Sequence, residues 1–329
     1  MIKKYTISPF LIVLSILFIS FSVPLFELIP KDFLIATSYS TVAVAKGYSD
    51  YFSFAIDSVV KSYTKVPETE TASLASSYIE VKEEPVQFDF IEDKEIKTDF
   101  DSILISNETD YNIDINELMQ DYKSPAKKEK PHILIVHTHA TEGYIECDNR
   151  SLDNEKNVTA VGEVLAYNLR EAGFMVIHDK THHDYPNYNG SYSNSLATVN
   201  GYLSRNPEID IVLDLHRDGI VDEKGNKAGV FTEINGQRVA KLMFVVGTDA
   251  CGLSHPDWRE NLKFATGLHN AVNSIAPSVM RPINLREERF NQHTTKNSII
   301  IECGSNGNSL DEAKRAAYVL AKALFLYIK

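Results

Sequence analysis

The hydrophobic positions of this chain fall into two regimes that meet near Pro131. Downstream of Pro131, short apolar runs alternate with stretches whose apolar residues recur at helical spacing. His132 to Val136 predicts a first strand. Asn157 stands as a helix N-cap before Val158, Val161, Leu165 and Leu169, with Gly173 as the stop. Phe174 to Ile177 predicts a second strand, and Ser191 caps a helix carrying Leu196, Val199 and Leu203 that ends before Pro207. Ile209 to Leu213 predicts a third strand. Val230 to Ile234 and Val239 to Val246 flank Asn235-Gly236, the strongest short hairpin signal. Trp258 to Ile275 predicts a helix and Ser298 to Ile301 a late strand. Ser309 caps a final helix with Ala313, Ala317, Leu320, Leu324 and Ile328 on one face. Strands alternating with helices imply an α/β fold: a mostly parallel sheet flanked by helices on both faces. No internal repeat is present.

Upstream of Pro131 the pattern changes. Lys3 and Lys4 precede an uncharged, mostly apolar stretch from Thr6 to Phe26. Its length matches that of a helix crossing a bilayer core of ~30 Å. Positive charge ahead of it predicts a cytoplasmic N-terminus and an extracytoplasmic remainder, a single-pass cell-membrane protein. A cleaved signal peptide is the competing reading, but Ala43-Val44-Ala45 lies far past the apolar run, which exceeds a usual signal core. An uncleaved anchor is expected. Residues 31–65 predict one or two weakly amphipathic helices. From Val66 to Lys130 the chain is acidic and lacks sustained periodicity, which reads as a disordered or loosely ordered tether. The expected organisation is an anchor over 1–30, a tether over 31–130 and a catalytic domain over 131–329.

Composition narrows the chemistry. The net charge of -12 makes nucleic acid an improbable partner. The three cysteines, Cys147, Cys251 and Cys303, include no Cys-x-x-Cys pair, and their odd number argues against a disulfide framework. Cys303, in an apolar run, reads as a small buried hydrophobe. No Gly-rich phosphate loop and no Gly-x-Ser-x-Gly elbow is present, so nucleotide chemistry and serine hydrolysis have no support.

Three predicted strand ends share a feature. The first runs into His137, Thr138 and His139, with Glu142 close behind; the third runs into Asp214-Leu215-His216-Arg217-Asp218; the late strand runs into Glu302. In a parallel sheet these tips lie along one edge, where open α/β sheets place their ligands. A lone histidine at a strand end is more often a hydrogen-bonded structural residue than a ligand. Two histidines and two carboxylates at three tips reverse that balance. Zinc hydrolases need three protein ligands, an open position for water and a carboxylate that is not a ligand. His139, Glu142 and His216 supply the ligands to one Zn2+, and Glu302 the base. Glu302 follows Ile299-Ile300-Ile301, so partial burial is expected to raise its pKa. His137 is an alternative ligand or supports one from behind, because residues two apart on a strand share a face.

Other polar groups are less specific. His178-Asp179 and His182-His183-Asp184 enter a loop rich in Tyr, Pro, Asn and Gly that includes Tyr185, Tyr188 and Tyr192. That loop reads equally as a substrate-facing wall or a structural turn. Asp184, Tyr188, Arg217, Arg289 and His293 are the candidate substrate contacts, with Arg289 or His293 placed to stabilise an oxyanion.

The motifs HTHATEGY (His137 to Tyr144), NVTAVGEVLAYNLREAGFMVIHD (Asn157 to Asp179), HDYPNYNGSYSNSL (His183 to Leu196) and DLHRD (Asp214 to Asp218) occur in order. So do MFVVGTD (Met243 to Asp249), RFNQH (Arg289 to His293) and ECGSNGNSLDEAKRAA (Glu302 to Ala317). With these motifs the domain resembles the stage II sporulation protein P family of endospore-forming bacteria, itself similar in fold to the zinc-dependent N-acetylmuramoyl-L-alanine amidases. The resemblance implies that His139, His216 and Glu302 match the first His, second His and catalytic Glu of those amidases. The wider amidase pattern sets the ligand Glu farther from the first His, where Glu155 rivals Glu142. Asn194 stands where the sporulation family is expected to carry Arg. The resemblance further implies a peptidoglycan hydrolase that cleaves both the amide between N-acetylmuramic acid and L-alanine and the peptide cross-links. It implies action in septal wall thinning and engulfment, with stage II sporulation protein D and stage II sporulation protein M as partners. A catalytically inactive wall-binding or scaffold protein of the same complex is the alternative.

Overall fold

The computed structural model describes residues 95–120, 131–147 and 149–328, within a compact unit that runs from Lys82 to Lys329. The expected anchor, the helices over 31–65 and most of the tether lie outside the described residues. Among the described residues no helix is long and apolar enough to cross a membrane.

Among the described residues nine strands and five α-helices are formed. The strands are β1 (Ile105–Asn107), β2 (His132–Val136), β3 (Met175–His178), β4 (Ile209–Asp218), β5 (Phe231–Ile234), β6 (Gln237–Ala240), β7 (Leu242–Gly247), β8 (Ile283–Arg286) and β9 (Ser298–Ser305). The helices are α1 (Ile115–Met119), α2 (Val158–Glu171), α3 (Ser191–Arg205), α4 (Trp258–Ile275) and α5 (Leu310–Ile328). Seven strands make one sheet in the order β1-β8-β7-β9-β4-β2-β3. Every neighbouring pair is parallel except β7 with β9. The sheet is therefore mixed but mostly parallel, with β1, β8 and β7 running against the rest.

Helix starts follow the sequence signals. Asn157 accepts from the backbone N–H of Thr159, and Ser309 with Glu312 forms a reciprocal cap: Glu312 N–H donates to Ser309 Oγ at 3.1 Å and Ser309 N–H to Glu312 Oε2 at 3.2 Å. Helices α2, α4 and α5 pack on one face of the sheet over Ile133, Ile135, Leu213, Leu215, Ile299 and Ile301, all fully buried. The other face is covered by α3 through Val199 and Leu203 against Leu134, Val136 and Val212. Alternate residues of each strand thus serve opposite cores.

Three expectations change. The apolar run from Val239 to Val246 is two strands: β6 closes a hairpin with β5 across Asn235 and Gly236, both at positive φ, and β7 enters the main sheet after Lys241. The lone charged Lys241 marks the break, between two segments that are both buried. Next, β8 was hidden in a polar stretch of only four residues. Third, the folded unit begins before residue 131. Within the expected tether, Ile105–Asn107 pairs with Ile283–Leu285, Ile103 and Met119 are buried, and Ile96, Phe100 and Ile113 pack on the main core. Apolar residues scattered among charges gave that segment no periodicity, yet most of them reach the core, with Leu104 left exposed.

Candidate active site

The ends of β2 and β4 and the middle of β9 bring the predicted residues together. His216 on β4 is paired in register with Glu302 on β9, so the two side chains emerge side by side from adjacent strands on the same face. His139 lies in the turn after β2, and its ring centroid is 5.3 Å from that of His216, edge to face. Glu142, three residues on, places Oε2 at 3.5 Å from His216 Nδ1. Glu155, its rival, is exposed, and its backbone N–H is spent on Asp153 Oδ1.

The loop bearing Glu142 is held by the chain itself. Arg217 donates from its backbone N–H to Glu142 Oε2 at 3.0 Å, while its guanidinium donates to the carbonyls of Gly143 and Asn149. Asp184 is buried and accepts from the backbone N–H and, at 2.6 Å, the hydroxyl of Thr141. Both residues were candidate substrate contacts; both instead fix the turn between His139 and Glu142. Tyr188 stacks on His139 at 4.4 Å between ring centroids, and the Arg150 guanidinium caps its far side at 4.1 Å.

Electrostatics separate the members. Burial opposes charge on His216, but Asp214 and Glu142 overcome it and hold the imidazole well above its ordinary pKa. Asp214 Oδ1 lies 2.9 Å from His216 Nε2, as a close ion pair rather than an aligned hydrogen bond, and Asp214 also accepts from Thr138 N–H and Oγ1–H. Burial, then His216, lowers the pKa of His139. Glu302 is pushed up to about 8, chiefly by burial, with His216 pulling the other way. Its Oε2 is buried without a hydrogen-bond partner, as is His139 Nδ1.

No group of three or more His, Cys, Asp or Glu side chains among the described residues is gathered tightly enough to hold a metal ion as it stands. The donor chemistry nevertheless fits zinc. Two ligands on a tetrahedral zinc at ~2.0–2.1 Å lie about 3.3 Å apart, close to the 3.5 Å between His216 Nδ1 and Glu142 Oε2. His139 adds a buried nitrogen with no partner. Asp214 stands behind His216 as a carboxylate does behind a metal-bound imidazole.

His137 is turned away. Alternation carries its ring, with Ile133 and Ile135, toward α2, where it is fully buried, and the chain turns before His139. Its Nδ1 meets Leu215 O at 2.8 Å and its Nε2 meets His178 Nε2 at 2.8 Å; His178 Nδ1 in turn meets Glu163 Oε2 at 3.0 Å. Of the two readings of the loop from His178, the structural turn holds for its histidines. His183 bonds the carbonyl of His137 and Thr198 Oγ1, and His182 bonds Asn154. Asn194 donates to the carbonyl of His183.

A cavity of about 450 Å3 opens beside His216 and Glu302, on the part of the sheet face that α3 leaves uncovered. Met243, Val245 and Ile300 floor it, Tyr192 and Phe290 wall one side, and Arg281 and Arg286 supply charge. Arg289 and His293 lie outside this lining: Arg289 donates to Ser254 O, and His293 faces His255. Tyr192 belongs to the loop whose other reading was a substrate-facing wall; sequence reasoning missed Arg281 and Asp218 as members of the cavity. For Asp218 the signal was present, since it follows His216 by two on the same strand.

Comparison with known proteins follows the same lines. A family model described as Stage II sporulation protein P (SpoIIP) matches residues 46–325. Stage II sporulation protein P of Bacillus subtilis (strain 168) is 27% identical over 219 residues, which cover 60% of this chain and 52% of that protein. The match thus spans about half the length of that relative. Among solved structures, the N-acetylmuramoyl-L-alanine amidase AmiC2 of Nostoc punctiforme is similar at 12% identity and a TM-score of 0.36, over 61% of this chain and 96% of that one. The catalytic domain of the CD27L endolysin targeting Clostridia Difficile is similar at 16% identity and a TM-score of 0.38, over 60% and 96%. By the extent of the family match, this chain belongs to the stage II sporulation protein P family.

Proposed function

We propose that this protein is a zinc-dependent peptidoglycan hydrolase that cleaves the N-acetylmuramoyl-L-alanine amide and the peptide cross-links of the septal wall during sporulation. The observation that carries this reading is the convergence of His139, Glu142 and His216 beside Glu302, whose Oε2 is buried and unpaired at the edge of a cavity. His139, Glu142 and His216 would hold the zinc, which when bound makes a water nucleophilic near neutral pH.

The chain's own residues do the rest. Glu302 takes a proton and holds it: burial has already raised its proton affinity into the working range of a general acid and base, so it then delivers that proton to the departing amine. Asp214 orients the His216 ring, and Thr138 orients Asp214. Arg217 and Asp184 keep Glu142 and His139 on their turn. Tyr188 and Tyr192 flank His139 by stacking and edge contact and narrow the approach of bulk water. Thr6 to Phe26 would anchor the enzyme, N-terminus inside, with the catalytic unit facing the wall. The family relation makes stage II sporulation protein D and stage II sporulation protein M the partners to test.

Full-length protein incubated with purified peptidoglycan should release stem peptides with new L-alanine N-termini, and a chelator should stop the release. Release unaffected by chelation and zinc depletion would remove the metal from the reading. No release from folded, zinc-replete preparations would leave a wall-binding or scaffold role.

A further inference from the structure

We infer that Arg281 forms an anion subsite reading a carboxylate two residues from the scissile amide, so that the enzyme prefers stem peptides whose second residue carries a free acid over those in which it is amidated. This rests on the hydrolase reading above.

Arg281 has its backbone N–H on Leu242 O at 2.8 Å, one strand beyond β9, but its side chain reaches back across the cavity. There Nη1 donates to Asp218 Oδ2 at 2.7 Å. Asp218 follows His216 by two residues on β4, roughly 7 Å along a strand. Two residues of extended substrate cover the same distance. Laid extended along β4 toward Asp218, a peptide whose reacting amide sits between His216 and Glu302 brings its second side group to the Arg281 guanidinium.

The geometry favours Arg281 over its neighbour. Arg286 also lines the cavity, but Nε and Nη2 both donate to Glu288 at 3.1 Å, and Glu108 lies 3.3 Å from Nε. Arg286 is thus clamped by two carboxylates. Arg281 hydrogen-bonds one carboxylate through one nitrogen among the described residues. A guanidinium has five N–H groups in a planar fork, so four remain for a second acid. Met243, Val245 and Ile300 offer apolar contact and Ser106 and Asn284 uncharged polar groups, which leaves Arg281 as the cation that distinguishes a carboxylate from an amide of the same shape.

The test uses the full-length chain in detergent with Glu302→Gln to prevent turnover. It is titrated calorimetrically with N-acetylmuramoyl-L-alanyl-D-glutamate and with N-acetylmuramoyl-L-alanyl-D-isoglutamine, which differ by one carboxylate made amide. The acid should bind at least about tenfold tighter than the amide, the scale of one charged hydrogen-bonded pair. Adding Arg281→Gln should erase the preference, and Arg281→Lys, which keeps the charge without the fork, should retain part of it. If Arg281→Gln does not fold, the reduced preference of Arg281→Lys carries the comparison. Equal binding of the two probes, or a preference that survives Arg281→Gln, overturns the inference. If neither probe binds while the unmutated enzyme still digests peptidoglycan, the subsite is refuted and the hydrolase reading stands. If neither binds and no digestion occurs, the hydrolase reading itself has failed.

Discussion

His137 and His139 stand two residues apart at the end of β2, yet they belong to opposite kinds of assembly. His137 joins His178 and Glu163 in a row where each ring nitrogen has a partner, and α2 closes over it so tightly that a Cβ on Gly162 would lie 2.6 Å from His178 and 2.7 Å from His137. His139 joins His216, Glu142 and Glu302, where buried polar atoms lack partners and a cavity adjoins. The residue types are the same. A satisfied row of imidazoles is structural, whereas an unsatisfied one holds its polar atoms ready for something absent. Residue type alone therefore did not mark the site; the state of the hydrogen bonds did.

This contrast can be broken, most forcefully at His216. His216→Ala should lose zinc on dialysis and all measurable turnover, whereas His178→Ala should keep its zinc; metal analysis that found both depleted would erase the distinction. Glu302→Gln should retain zinc while turnover on peptidoglycan falls more than about a hundredfold. Full activity in that variant would take Glu302 out of the reaction. Asp214→Asn should weaken zinc binding by about 10- to 100-fold, as loss of a carboxylate behind a metal-bound histidine does, and competition with a chromophoric chelator would read it. In the closed cluster, Gly162→Ala should cost about 1–3 kcal/mol by overpacking, seen as a lower urea midpoint with zinc affinity unchanged. A midpoint equal to that of the parent would mean the row is looser than its contacts suggest.

The smallest effect is in pH, where the two clusters should act with opposite sign in chelated protein. Burial holds His137 well below, and His178 below, the ordinary value of 6.5. Their unfolded forms take up protons first, so the stability they contribute is present above about pH 6.5 and lost as pH falls. Glu302 is raised from 4.5 to about 8. Its folded form holds the proton longer, so its contribution is full below about pH 4.5 and lost as pH rises through about 8. His178→Gln should flatten the acid limb of a stability-against-pH curve, and Glu302→Gln the alkaline limb, each by no more than a few kcal/mol. Identical curves for both variants would contradict the assignment.

Much of the site was legible because it sits at strand ends, where an apolar run stops on a polar residue. His216 and Glu302 were found this way, and the isoleucines before Glu302 forecast its partial burial. The same reasoning misjudged His137, because the face it shares with Ile133 and Ile135 was carried on to His139, which lies in a turn. It also gave Asp214 no role, because the strand was ended at Leu213, whereas it runs on and sets Asp214 on the same face as His216. Strand β1 escaped because Ile105-Ser106-Asn107 has a single apolar residue, and its pairing with β8 is decided by backbone hydrogen bonds that leave no mark on side-chain pattern. Arg281 lies outside any strand or helix and reaches the cavity only because its side chain doubles back, a path that depends on tertiary geometry alone.

The ladder that sets Glu302 opposite His216 has a consequence for assembly of the molecule. Sliding β9 by a single position would rotate the glutamate into the greasy layer beneath α5 and set one of its apolar neighbours opposite the histidine. Such a misaligned chain would possess every reactive group and bring none of them to bear. The proposed wall cutting would therefore report on correct strand alignment, and a half-formed chain would leave its substrate intact.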